Sequence, residues 1–282
     1  MSMLSQSGAF PYVVLLALGV SLIILLMVRQ ALVRSQAEQP IVIGNGQTMG
    51  QREEQDDYFS AIVSPNGTIA VLADGISGLS GGRAASTTAV STFVKQFLKL
   101  EHASDMTGYF TETAALANKE VMQSLKGAQG GTTLVAAVIS DGLLYWGAVG
   151  DSLLRIFRNG EFIDVNSKHT LESVLEERYA SGDISREEAL GSPMRKQLVN
   201  YLGYEAFKNI EIGSEPIRLL KRDKVILCSD GIYNTLTEIE LEDILTKPLS
   251  PYDAAQEIIA AIEEKKLKHQ DNATIVILEK GW

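Results

Sequence analysis

The sequence predicts an α+β domain with a sheet-on-sheet core and amphipathic helices on the outer faces. Two observations lead there. Three apolar segment pairs flank the dipeptides Asn66-Gly67, Asp141-Gly142 and Asn159-Gly160, each the preferred centre of a two-residue type I′ hairpin because both residues tolerate positive φ. Between and after these pairs lie stretches with apolar residues at helical spacing. Repeated hairpins mean antiparallel sheet and disfavour a doubly wound parallel one.

In chain order, Phe10–Val28 comes first. It carries no charge, and at about 1.5 Å per residue a helix of this length spans a hydrocarbon core of about 30 Å. A secretory signal would want basic residues before the run, and none precedes it; a buried core helix is usually shorter and rarely apolar all round. Arg29 and Arg34 follow the run, which orients a single-pass anchor with the amino terminus outside and the rest in the cytoplasm. Residues 1–9 are then a tail, 10–28 a transmembrane helix, 29–40 a tether and 41–282 the folded domain.

Within that domain, Tyr58–Val63 pairs with Thr68–Ala73, Thr132–Ser140 with Leu143–Val149, and Leu153–Arg158 with Glu161–Val165. Helices are expected at Arg83–Glu101, through Ala89, Phe93, Phe97 and Leu100, and at Gly108–Lys126, through Phe110, Ala114, Ala117, Val121 and Leu125. A strand at Lys224–Ser229, helices near Glu238–Thr246 and Tyr252–Lys268, and a strand at Ala273–Lys280 complete the pattern. Residues 169–212 are polar and helix-rich, with a capping-box pattern at Ser185–Glu188. They read as an inserted flap.

Composition narrows the chemistry. A net charge of −10 disfavours a nucleic-acid ligand, which needs clustered Lys and Arg. One cysteine excludes an intrachain disulfide and a Cys-based zinc site. Cys228 lies inside an apolar strand and reads as a core residue. Carboxylates instead gather at strand ends: Arg52-Glu53-Glu54-Gln55-Asp56-Asp57, Ala73-Asp74-Gly75, Ser229-Asp230-Gly231 and Asp271-Asn272-Ala273-Thr274. Brought together, they make an oxygen-rich site for hard divalent cations such as Mg²⁺ or Mn²⁺. A lone Asp-Gly is a turn in most proteins; the combination is what points to ligands.

With Gly130-Gly131-Thr132-Thr133 and Gly150-Asp151-Ser152, these motifs resemble, in order, those of the metal-dependent serine/threonine protein phosphatases (type 2C, PPM family), over Ile43 to about Glu279. Ser181–Gly203 resembles the flap of the bacterial members. The resemblance implies a four-layer α-β-β-α sandwich and hydrolysis of phosphoserine and phosphothreonine on proteins by direct attack of a metal-bridging hydroxide, with no phosphoenzyme. It implies that Asp74 bridges two Mn²⁺ or Mg²⁺ ions, that the Gly75 carbonyl is a ligand, and that Asp230 and Asp271 complete the first ion. Asp56, where the family usually has Glu, would serve the second ion through water, with Asp57 as a nearby ligand or acceptor. Arg52 would bind the substrate phosphate, and Asp151 a possible third ion. The chain departs from the pattern at Ile76, where eukaryotic members carry a His, at Leu153, where Arg is usual, and at Lys196 in the flap. Partners implied are phosphorylated proteins, a serine/threonine kinase or its targets. A phosphatase for one dedicated regulator and an inactive phosphoprotein-binding module are the alternatives.

Overall fold

The computed structural model describes residues 10–35, 41–76, 81–100 and 105–281. The chain divides into two compact units, residues 1–39 and 40–282. In the first unit, helix α1 (Phe10–Ser35) contains a stretch, Pro11–Arg29, with mean hydropathy 2.7 and no buried residue. Among the described residues this is the one helix long and apolar enough to cross a membrane. The helix continues through the first half of the expected tether; the tail 1–9 and residues 36–40 lie outside the described residues.

The second unit begins with β1 (Ile41–Thr48), β2 (Tyr58–Ser64), β3 (Gly67–Ala73), α2 (Gly82–Phe97) and α3 (Met106–Leu125). Strands β4 (Leu134–Ser140), β5 (Leu143–Val149), β6 (Leu153–Arg158) and β7 (Glu161–Asp164) follow, then the flap helices α4 (Leu171–Ala180) and α5 (Arg186–Gly191). Short β8 (Glu211–Ile212) and β9 (Ile217–Arg218) lead to β10 (Lys224–Cys228), α6 (Asp230–Tyr233), α7 (Glu238–Leu245), α8 (Pro251–Glu264) and β11 (Ala273–Lys280).

One sheet runs β1-β11-β10-β6-β7 and the other β2-β3-β4-β5-β8, all antiparallel, with β9 also on β5. The period-2 alternation of β3 explains the layers. Ala70 and Leu72 face the other sheet, packing with Leu154, Leu227 and Val276. Ile69 and Val71 face Phe93, Phe97 and Phe110 of α2 and α3. On the far side, Ile258 and Ile262 of α8 pack on Ile226 and Ile275. The four-layer α-β-β-α sandwich is the fold.

Local chemistry sets the element ends. Asp141-Gly142 and Asn159-Gly160 have φ of 52°, 72°, 55° and 90°, as type I′ requires. The first hairpin differs. Ser64 pairs with Gly67, so its central pair is Pro65-Asn66; the proline ring fixes φ negative, and Gly67 takes the positive φ of 122° instead. Helix α3 starts before the expected Gly108 because Asp105 accepts from the Gly108 amide at 2.8 Å. The capping box at Ser185 and Glu188 is present in full. Strand β4 starts at Leu134, not Thr132, because Thr132 and Thr133 leave the ladder for the residues around Asp74. Strand β1, the two-residue strands and α6 carry too little periodicity to be read from sequence.

Candidate active site

At one end of the sandwich, β3 ends before Asp74, β10 ends before Asp230, β11 begins after Asp271 and β6 begins after Asp151. Antiparallel pairing forces this: the end of β10 lies beside the start of β11 and the start of β6. The four carboxylates line one cavity of about 450 Å³, with Arg52, Ile76, Thr133 and the flap residues Lys196, Gln197, Leu198 and Tyr201.

Asp74 is held by its backbone. Its amide donates to Thr133 Oγ1 at 3.0 Å, and its carbonyl accepts from the Thr133 amide at 2.9 Å and from Thr132 Oγ1 at 2.8 Å. It keeps an exposed edge at the cavity wall while the rest of its surroundings is protein. Burial, then repulsion from Asp57, Asp230, Asp151 and Asp271, holds its carboxyl well above the usual range. Burial first, then Asp151 and Asp271, raises Asp230 to about 7.

Asp57 lies beneath the cavity, fully buried. Ser229 Oγ and Thr274 Oγ1 both donate to its Oδ2 at 2.7 Å. Burial still outweighs these bonds and raises it to about 6. Its Oδ1 has no hydrogen-bond partner, although a buried acceptor without a partner costs about 1–3 kcal/mol.

The other expected site residues are placed differently. Arg52 lines the cavity but donates to Asp271 Oδ2 at 2.6 Å. Asp56 and Gly75 do not line it. The Asp56 carboxylate lies against the start of α2, where a Cβ on Gly82 would stand 3.1 Å from both of its oxygens, and its proton affinity is raised chiefly by burial; Gly81, the cap of that helix, has no side chain to cap it. A Cβ on Gly75 would stand 2.4 Å from the Gly82 carbonyl oxygen, so close backbone packing requires glycine there.

Sequence reasoning assigned no role to Asn272. Its Oδ1 accepts from the Asp56 amide at 2.8 Å, and its Nδ2 donates to the carbonyls of Met49 and Glu54 at 2.9 and 3.0 Å. It thereby clamps the loop that carries Arg52 to the strand that follows Asp271. A polar residue between Asp271 and an apolar strand was the available signal. Thr133 belongs to the Gly130–Thr133 motif but was given no part in the lining, and Gln197, Leu198 and Tyr201 lie in the expected flap without a signature of their own.

The donor set is all oxygen, several carboxylates crowd one buried wall, and Asp57 keeps an unpartnered oxygen. These residues fit a hard divalent cation. Among the described residues no three His, Cys, Asp or Glu side chains already close around a single point, since Asp271 is turned to Arg52 and Asp57 to Ser229 and Thr274.

A sequence model of the Protein phosphatase 2C family matches residues 46–270. Serine/threonine phosphatase stp of Listeria welshimeri is 29% identical over 225 residues, which cover 77% of this chain and 86% of that protein. The S. agalactiae serine/threonine phosphatase structure aligns with a TM-score of 0.74 at 23% identity, over 85% of this chain and 99% of that one. The catalytic domain of serine threonine protein phosphatase PstP in complex with two manganese ions aligns with a TM-score of 0.66 at 21% identity, over 85% and 99%. With its motifs in family order, its four-layer sandwich and a family match across most of its length, the chain belongs to the protein phosphatase 2C family of serine/threonine phosphatases.

Proposed function

We propose that this chain is a membrane-anchored, metal-dependent phosphatase that removes phosphate from phosphoserine and phosphothreonine on cytoplasmic proteins. The observation that carries it is the crowding of Asp74, Asp230 and Asp271 on one cavity wall, over the unpartnered Asp57 oxygen. PP2C phosphatases are metal-dependent, and a structural neighbour is described with two manganese ions. Here two ions, Mn²⁺ or Mg²⁺, would be held by Asp74 between them, by Asp230 and Asp271 on the first, and by the Gly75 carbonyl on the second. Asp57 would accept from their waters. Asp56, set against the start of α2 and off the cavity wall, would reach the second ion only through water. Asp151 is the remaining carboxylate of the wall, the one a third ion would need. When bound, such ions lower the pKa of a water and offset charge on phosphoryl oxygens.

The chain's own residues do the rest. Arg52 exchanges Asp271 for the phosphoryl group, its planar fork taking two oxygens at once. Lys196 adds positive charge from the flap. Thr133 locks the Asp74 backbone so that its carboxylate does not swing. Direct attack by water, with no phosphoenzyme, is what membership of the family implies; in support, Cys228 is buried, its thiol pushed up to about 12 by burial, Thr133 Oγ1 is committed to Ser152 and to the Asp74 amide, and the wall aspartates are the residues that would hold the ions. Ile76 has no proton to give, so the leaving alkoxide takes its proton from solvent.

The apolar stretch Pro11–Arg29 supports the anchor, and Arg29 and Arg34 support a cytoplasmic catalytic domain. Tethering would raise the effective concentration of the site near membrane-bound kinases and their targets. The test is phosphate release from a phosphothreonine peptide by the full chain in detergent. Release should require added Mn²⁺ or Mg²⁺ and vanish in Asp230→Asn. Peptide binding without turnover at any metal concentration would refute the catalytic reading.

A further inference from the structure

Beside the cavity, residues 168 and 169 run back along the turn that carries Gly150 and Asp151. The His169 amide donates to the Gly150 carbonyl at 2.9 Å, and His169 Nδ1 accepts from the Gly150 amide at 3.2 Å. Lys168 is therefore fixed next to Asp151 by its neighbour's backbone. Its Nζ stands 3.6 Å from the centroid of the Tyr233 ring. The Tyr233 hydroxyl in turn donates to the Asp151 carbonyl at 2.9 Å. Lys168, Tyr233 and Asp151 thus form one unit.

An ammonium on an aromatic face is held in place while its charge stays available to a third group. That third group is Asp151, on which Lys168 is the strongest influence opposing burial. Asp151 in turn is the largest charge repulsion acting on Asp230. A divalent ion placed between Asp151 and Asp230 would relieve this crowding, but it would also sit beside a fixed ammonium of like sign.

We propose that the Lys168 ammonium is a built-in cation for Asp151, standing in for a third divalent ion and limiting this chain to two. The inference rests on the two-ion reading of the same site. It makes Lys168 a positioning residue: it holds charge balance at the wall without touching substrate. The covalent tether gives a cation that does not depend on free metal concentration and carries one charge instead of two.

The test is manganese stoichiometry, read by equilibrium dialysis and metal analysis on the full chain in detergent, independently of turnover. The wild-type chain should saturate at two ions. Lys168→Met should bind a third, Lys168→Arg should stay at two, and Lys168→Met with Asp151→Asn should return to two. Lys168→Gln replaces Lys168→Met if the latter fails to give a cooperative melt. A lysine that merely packs on Tyr233 would leave the count unchanged in every variant, and that result overturns the inference. Three ions on the wild-type chain overturn it too, with the two-ion reading intact. No manganese on the wild-type chain overturns both.

Discussion

The cavity has two walls built on different principles. One consists of strand ends, Asp74, Thr133, Asp151, Asp230 and Asp271, each a residue or two from a ladder whose side chains are buried on both faces. The other is the flap, contributing Lys196, Gln197, Leu198 and Tyr201. Helix α4 of the flap buries no residue and α5 buries only Ala189. The flap is joined to the sheets through Leu202, which exchanges two backbone hydrogen bonds of 2.9 Å with Thr132. The proposed function thus puts chemistry on the part that cannot shift without unfolding the core, and contact with the phosphoprotein on the part that tolerates change.

The sharpest way to break this division is at the strand-end wall. Asp74→Asn should lower metal-dependent phosphate release by about 10³-fold or more, since it removes the carboxylate proposed to be shared by both ions. The same change should raise the melting temperature of the metal-free chain, because it removes a buried charge from a crowded set. A metal-free chain that melts lower, with its fold intact, would show that Asp74 is structural first.

A second test separates the walls by pH. Asp57 and Asp230 bind protons at about 6 and about 7 when folded, against an ordinary carboxylate value of 3.8. The folded state therefore holds extra protons between these values, and stability falls as pH rises through that window. The metal-free chain should gain several degrees in Tm between pH 8 and pH 5.5, with about 2–4 °C for each kcal/mol. Added Mn²⁺ should flatten or reverse the trend by binding the deprotonated folded form. A Tm that rises steadily towards pH 8 without metal would contradict the burial of these carboxylates.

The flap predicts smaller and more selective effects. Lys196→Ala and Tyr201→Ala should each raise KM for a phosphopeptide by about 3–10-fold while changing kcat on a small aryl phosphate by less than about twofold. An equal loss on both substrates would place these residues in the chemistry instead. Smallest of all, Ser185→Ala removes a complete capping box, which costs about 1 kcal/mol. Because α5 is nearly unburied, amide exchange should speed up in the flap alone, with the global Tm almost unmoved.

Much of this molecule was legible residue by residue. Asp141-Gly142 and Asn159-Gly160 announced their turns, and Ser185-x-x-Glu188 its helix start, because each depends on atoms within four residues. Asn66-Gly67 misled by one position, since the neighbouring Pro65 fixes φ and claims the turn centre. The termini of α2 and α3 shifted with caps that the helical period does not encode. At the site, the strand-end aspartates were visible as types and spacings. The pairing of Arg52 with Asp271 was not, nor the capture of Asp56 by the start of α2, nor the clamp formed by Asn272.

The sequence by itself determined the layered fold, the order of the acidic motifs and the oxygen-only chemistry they permit, because periodicity, turn preference and donor type are properties of short segments. Tertiary structure alone decided which oxygen meets which partner. Asp57 and Thr274 stand 217 residues apart, and their 2.7 Å bond exists only because the two sheets pack at that end. The same packing sets Lys168 beside Asp151 and leaves Asp57 with one unpaired oxygen, since through-space electrostatics depends on distances that chain order does not carry.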